Sequence, residues 1–396
     1  MSATAVILAG GRGARLRPFT LYRPKPMMPV ANRPVIDYVL SLLELSGVVE
    51  RVLVLLGYMG DVLEEHLAGG DWALEVEPVK LEALDTADAI RRARDRIDDD
   101  FLVVMGDVIT NCDVATLWRA HRERGGLATL ALRDAGSPGH YGLALVGRDG
   151  RVLRFMESPA SYELYLAAAM IGLGAEASTS LASMGIYAFS YEILDVLDEN
   201  PHLVDFSRHV LPHLVEEGHP VYGWYSGSCY WIDIGLPHTY LQANIDMVSG
   251  LATPLRPRGM NSSGIWLSSP RSMEGVVNPP AAIGAHASVA DGAVVGPGAV
   301  LGEEVEVGSK AVVVGSVLLA GAKVGEGAVV VGSVVGEGAS VGKGARVLRS
   351  LVEDGARVPE GANIIGAVYV KKRACGMVVE LERGARAAGR QAPRDR

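Results

Sequence analysis

Short apolar runs and stretches of helical period alternate along the first 248 residues. ATAVILAG, RVLVLLG and FLVVMGD are continuous apolar runs of strand length, the pattern of strands buried on both faces. Between and after them, PVIDYVLSLLELSG, GDVLEEHLAGG, DTADAIRRARDRI and VATLWRAHRERGG place apolar residues at helical spacing. Pro34 suits a first turn, Gly47 a helix end, and Asp85 or Thr86 an N-cap. The alternation predicts an α/β domain with a Rossmann-like, mostly parallel sheet and helices on both faces. Ligands of such sheets sit beyond the carboxyl ends of strands. The glycine run after ATAVIL and the Gly106–Asp107 pair after FLVVM both fall there.

From Ile283 the pattern changes. Apolar residues recur every six positions at Ile283, Val289, Val295, Leu301, Val307 and Val313. Similar segments then begin at Val313, Val330, Val347 and Ile364, 17 residues apart, which is two hexads and a pentad. A three-part repeat of short strands, with Gly and Ala at its corners, predicts a three-sided solenoid. It resembles the left-handed parallel β-helix of hexapeptide-type repeats. The chain therefore divides into an α/β domain over 1–248, a Pro-, Ser-, Asn- and Gly-rich linker over 249–282, a β-helix over 283–370 and a basic tail over 371–396.

Composition narrows the function classes. The net charge is −9, yet six cations precede the first acid, Asp37. An acidic chain with one cationic segment points to a local anion site, not to a nucleic-acid face. Cys112, Cys229 and Cys375 are far apart in sequence and form neither a CxxC pair nor a disulfide framework. No apolar stretch reaches the ~18 residues of a membrane span, and no cleavable leader pattern opens the chain. A soluble cytoplasmic protein without nucleic-acid or membrane partners is expected.

The cations concentrate in LAGGRGARLRPFTLYRPKP, residues 8–26: Arg12, Arg15, Arg17, Arg23 and Lys25, with no acid among them. The G-x-x-x-x-G-K-[ST] pattern of a Walker loop is absent. The dinucleotide pattern G-x-G-x-x-G fails at its third glycine, where Leu16 stands. Bare glycine backbone lets an anion approach and offers N–H donors. Arg15 can fork onto phosphate oxygens, and Lys25 adds a point charge. Such a loop suits a triphosphate. Asp107, at a strand end beside it, is a sound Mg²⁺ ligand.

The segment closely resembles the signature of the sugar-1-phosphate nucleotidyltransferases, GG-x-G-T-R-L-x-P followed by P-K-P. Gly10, Gly11, Gly13, Arg15, Leu16, Pro18, Pro24, Lys25 and Pro26 match it, and Ala14 replaces its threonine. The resemblance extends through the solenoid, and PMMPVANRPVIDYVL and DFSRHVLPHLVEEG look most like the GDP-mannose pyrophosphorylase branch. It implies transfer of a nucleotidyl group from a nucleoside triphosphate to a sugar 1-phosphate, with release of pyrophosphate. It further implies Arg15, Lys25 and Asp107 as catalytic residues, and Mg²⁺ on Asp107 and on Asp233 of CYWIDIGLPHTYLQAN. Leu8, Gly10, Gly11, Gly13, Asp85 and Thr86 would hold the nucleotide. Gly142, Glu157 and Gly185 would hold the sugar. The resemblance favours GTP with mannose 1-phosphate. Glucose 1-phosphate with UTP, dTTP or ATP is the alternative, as is a non-catalytic regulatory subunit that binds nucleotide sugar.

Three positions depart from the family pattern. Asp85 replaces the glycine of L-G-T-A, which frames the base with a backbone N–H, and its carboxylate is expected to crowd a base or phosphate. Ser158 stands where a lysine of E-K-P meets the sugar phosphate. Ser183 replaces the asparagine of N-A-G-I-Y. A second, acyl-transferring activity in the solenoid would want a histidine base, and the solenoid holds only His286. Its flat valine-rich sides favour assembly into a homo-oligomer.

Overall fold

The computed structural model describes residues 2–134, 141–159, 163, 178–371 and 379–380. It forms two compact units, Met1–Arg258 and Gly259–Arg396.

The first unit is built on four parallel strands. They are β1 (Ala3–Ala9), β2 (Val49–Leu56), β3 (Glu75–Lys80) and β4 (Phe101–Met105), in spatial order β4-β1-β2-β3. β1 pairs in parallel with β2 on one side and β4 on the other, Leu8 facing both Leu55 and Met105. Parallel pairing sends all the carboxyl ends to one edge of the sheet. Helices α1 (Val35–Ser46), α2 (Gly60–Ala68) and α3 (Thr86–Arg92) follow the expected apolar stretches. Gly47 closes α1 with φ 65°, and the Asp85 carboxylate caps α3. The sheet continues antiparallel through the long strand Ser178–Phe189, which pairs with β4. Buried Val6, Leu53, Val103, Phe189 and Phe206 belong to the core beneath it.

At the strand ends, bare backbone is a packing requirement. A Cβ on Gly57, which follows β2, would lie 2.8 Å from Gly10 Cα. Gly13 has φ 59°, and a Cβ there would lie 2.9 Å from Thr20 Cγ2. Leu16 and Phe19 are buried, and buried Thr20 donates to Gly13 O at 2.8 Å, so these side chains anchor the cationic loop.

The second unit is the expected left-handed β-helix with three parallel faces. The six-residue positions from Ile283 to Val313 are all buried. Ile283 pairs with Leu301 and Val295 with Val313, so the first coils hold 18 residues. Val313 then pairs with Val330, and Val330 with Val347. The lost residue comes from one corner, where residues 296–299 between paired positions become residues 314–316. A serine ladder restores the hydrogen bonding there. Ser316 Oγ donates to Val314 O at 2.8 Å and accepts Ser333 N–H at 3.1 Å. Ser333 and Ser350 repeat the contact one coil on.

The linker expected over 249–282 is not a linker. Ala252 and Leu255 are buried in the first unit, which runs to Arg258. Ile265–Leu267, Ser272–Met273 and Val276–Val277 already pair with the next coil. This first coil keeps apolar residues in register, Leu267, Met273 and Val277 opposite Ile283, Val289 and Val295, but only four positions separate the last two, which breaks the six-residue period. Most of the basic tail lies outside the described residues, and Val379–Glu380 pairs with Ala367–Val368. Among the described residues, no helix is long and apolar enough to cross a membrane.

Candidate active site

A cavity of about 630 Å³ opens at the carboxyl ends of β1, β2 and β4. Leu8, Gly10, Gly11, Arg15, Lys25, Asp85, Thr86, Asp107 and Glu157 line it. These residues come from five separate segments, and parallel strand polarity brings most of them to one edge.

Lys25 is the centre of the loop wall. It starts the short turn Lys25–Met27 between two prolines, whose fixed φ stiffens the segment. Its ammonium donates to Asp107 Oδ2 and, at 3.0 Å, to Asp233 Oδ1. Its side chain is only 9% exposed. Burial works against the charge, but Asp107 and Asp233 outweigh it and hold the Lys25 pKa above its ordinary value. Burial, with Asp107 as a neighbour, raises the Asp233 carboxyl in turn.

Two short strands position the carboxylates. Val108–Thr110 pairs antiparallel with Trp231–Asp233, Val108 opposite Asp233. Gly235 N–H donates to Asp233 Oδ1 at 2.8 Å, and Arg15 Nη2 lies 3.8 Å from its Oδ2. Asp233 itself does not line the cavity but reaches it through Lys25 and Arg15. Among the described residues no cluster of three or more metal-type side chains exists. Two carboxylates converging on one buried cationic point nevertheless fit Mg²⁺, which takes one or two carboxylates and completes its shell with phosphates and water.

The opposite wall is acidic. Asp85 Oδ1 accepts the Thr86 N–H at 2.9 Å, so the amide expected beside a base is engaged by its own neighbour. Thr86 Oγ accepts Phe206 N–H at 3.0 Å and lies 3.4 Å from Asp205 Oδ2. Burial raises the Asp85 and Glu157 carboxyls, and Asp205 adds to both shifts while Arg208 opposes them. Gly142 stands opposite Glu157 on paired strands. A Cβ there would lie 3.0 Å from Glu157 Oε2, so its bareness makes room for the carboxylate. Gly185, with φ 70°, packs behind Met105 of the cavity wall. Ser183 does not face the cavity. Its hydroxyl lies 3.2 Å from Tyr187 Oη and accepts the Gly185 N–H at 3.4 Å.

Sequence reasoning gave Arg12 no role beyond that of a loop cation and missed Asp205, Ser207 and Arg208; all four are on the cavity wall. The last three belong to a π-helical turn, Phe206–Val210, capped by Asp205, which accepts Arg208 N–H at 2.7 Å. Such turns are frequent at functional sites, but i→i+5 bonding leaves no sequence period to read.

The family model described as nucleotidyl transferase matches residues 4–250. The chain belongs to this family. A second model, described as the GMPPB C-terminal domain, matches residues 277–378 of this nucleotidyl transferase. A mannose-1-phosphate guanylyltransferase of Mycobacterium tuberculosis is 31% identical over 259 residues, covering 64% of this chain and 67% of the relative. A UTP–glucose-1-phosphate uridylyltransferase of Synechocystis is 29% identical, covering 60% and 62%. A putative mannose-1-phosphate guanyltransferase of Sulfolobus acidocaldarius is 29% identical, covering 73% of each chain. The relatives share sugar-1-phosphate nucleotidyl transfer and differ in base and sugar.

Proposed function

We propose that this nucleotidyl transferase joins GTP and mannose 1-phosphate to give GDP-mannose and pyrophosphate, with Mg²⁺ held by Asp107 and Asp233. The observation that carries the reading is the cluster of Lys25, Arg15, Asp107 and Asp233 at the mouth of a glycine loop. The sugar-phosphate oxygen attacks the α-phosphorus, and the bond to the β-phosphate bridging oxygen breaks in line. The residues act by positioning and by opposing developing charge. We assign Lys25 to the charge that collects around the α-phosphate. Arg15, 64% exposed along its side chain, is free to swing onto the leaving β- and γ-phosphates. Mg²⁺, when bound, neutralises phosphate charge and orients the attacking and leaving oxygens.

The acidic wall supports a guanine. Guanine presents N1–H and N2 amino donors, and a carboxylate accepts such donors well. Asp85 retains acceptor capacity beside its bond to Thr86. Glu157 suits sugar hydroxyls. With Ser158 in place of a lysine, Arg208 supplies positive charge on this wall among the described lining residues, and we assign it to the sugar phosphate. A coupled pyrophosphate-release assay across GTP, ATP, UTP and dTTP, each with mannose or glucose 1-phosphate, tests the assignment. Fastest release with GTP and mannose 1-phosphate is expected. A faster pair would replace this choice, and no release with any pair would leave only ligand binding.

A further inference from the structure

Two cysteines lie just beyond the ladder that positions Asp107 and Asp233, which pairs Val108–Thr110 with Trp231–Asp233. Ile234 N–H donates to Asp107 O at 3.2 Å, and Asn111 N–H donates to Tyr230 O at 3.3 Å. Both bonds keep the register of Val108 opposite Asp233 and Thr110 opposite Trp231. They also fix its alternation. Pairs 107/234 and 111/230 are hydrogen-bonded, and 108/233 and 110/231 between them are not. Beyond them the regular ladder stops: Tyr230 N–H donates to the Asn111 side chain at 2.7 Å and Cys112 N–H to Thr110 Oγ at 3.2 Å. One position past the Asn111–Tyr230 contact the two segments are still neighbours, and a disulfide spans Cα atoms roughly 4.4–6.8 Å apart. The residues at 112 and 229 are Cys112 and Cys229.

Both thiols are free. Cys112 is 4% exposed, at the wall of a separate cavity of about 200 Å³. Cys229 is half-buried, and its Sγ donates to Ser226 Oγ at 3.2 Å. Burial pushes the Cys112 thiol up to about 12, and Cys229 adds to the rise, which puts the two sulfurs within electrostatic reach. The 117 positions that separate them in sequence are closed by one strand pairing.

We propose that Cys112 and Cys229 form a reversible disulfide, a redox modification site that ties together the two strands bearing the active-site carboxylates. The oxidant is a small-molecule disulfide such as oxidised glutathione. The Cys229 thiolate attacks one glutathione sulfur, its own proton having left to solvent, and one glutathione thiolate departs. The Cys112 thiolate then attacks Cys229 Sγ, and the second glutathione thiolate departs. The protein loses two protons and two electrons, and the oxidant is reduced to two thiols. The buried Cys112 makes the second step the slow one at neutral pH.

The test is peptide mapping of the full chain after incubation with oxidised glutathione at pH 8.5 and alkylation of remaining thiols. A Cys112–Cys229 linked peptide, the loss of two of the three thiols and full reversal by dithiothreitol are expected. A thermal-shift scan should show a higher Tm for the oxidised wild type but not for the Cys229→Ser variant under the same oxidant. A glutathione adduct on Cys229 that persists while Cys112 stays alkylatable only after denaturation would overturn the proposal. So would a link from either residue to Cys375, or a Tm rise retained in Cys229→Ser. None of these outcomes depends on turnover, so they stand apart from the proposed reaction.

Discussion

The two walls of the active-site cavity handle charge in opposite ways. On the loop wall, Lys25 is locked between Asp107 and Asp233, with Arg15 beside them. On the facing wall, Asp85, Glu157 and Asp205 outnumber Arg208, and burial raises two of those carboxyls. The difference teaches that the site is prepared for two kinds of ligand. A polyanion meets Lys25 already oriented, with the exposed Arg15 beside it able to swing onto the bound group. A donor-rich base or sugar meets acceptors, and any phosphate there depends on a single guanidinium among the described residues.

The comparison breaks most sharply on the loop wall. Lys25→Met removes the cation that both carboxylates hold and leaves them repelling each other. Loss of one preorganised group typically costs 10²–10³ in turnover, so kcat for pyrophosphate release should fall by about 10³-fold. Asp107→Asn should fall by a similar factor, with no rescue by raised sugar phosphate.

On the facing wall the effect should appear in binding. A charge-assisted contact to phosphate contributes ~1.5–3 kcal/mol. Arg208→Ala should therefore raise the KM for the sugar phosphate by roughly 10- to 100-fold and leave kcat within a few-fold. Ser158→Lys should lower the same KM. A fall in kcat equal to the rise in KM for Arg208→Ala would place Arg208 with the loop wall instead.

Base choice is a smaller effect. Asp85→Asn replaces a pure acceptor by a group that also donates. The ratio of kcat/KM for GTP over ATP should drop by about 10-fold, on the scale of ~1.4 kcal/mol. An unchanged ratio would remove Asp85 from guanine recognition.

Outside both walls, Ser333→Ala deletes a rung of the solenoid ladder and strands the Ser350 N–H that it accepts. A buried unsatisfied donor costs ~1–3 kcal/mol. Calorimetry should show the β-helix transition lowered by several degrees. No shift would show that solvent satisfies the corner.

Much of this was legible in the residues. The solenoid was readable because a six-residue register from Ile283 to Val313 and a 17-residue repeat after it both recur beyond chance, with their positions buried up to Val347. It failed only where the period fails, in the end coil at 265–277, whose Pro, Ser and Asn content imitates a linker. The loop wall was readable because Arg15, Lys25 and Asp107 sit at strand ends in a long motif. The facing wall was not. Asp205 and Arg208 reach the cavity through a π-turn and a tertiary contact with Thr86, which sequence spacing does not encode. Asp85 caps α3, as its position predicts, and the same carboxylate occupies the Thr86 N–H expected beside a base. Ser183 departs from the family motif, and its hydroxyl turns into the strand bulge rather than into the cavity. Cys112 and Cys229 are far apart in sequence, and only the contact between their neighbours Asn111 and Tyr230 brings them near.

The most direct measurement is product formation from GTP and mannose 1-phosphate with Mg²⁺, followed by chromatography of the nucleotide sugar. Wild type should convert the limiting substrate to GDP-mannose with one pyrophosphate per product, while Lys25→Met and Asp107→Asn stay near background. Tight binding of GDP-mannose without any product from wild type, or variants that turn over as fast as wild type, would contradict a reaction centred on Lys25, Asp107 and Asp233.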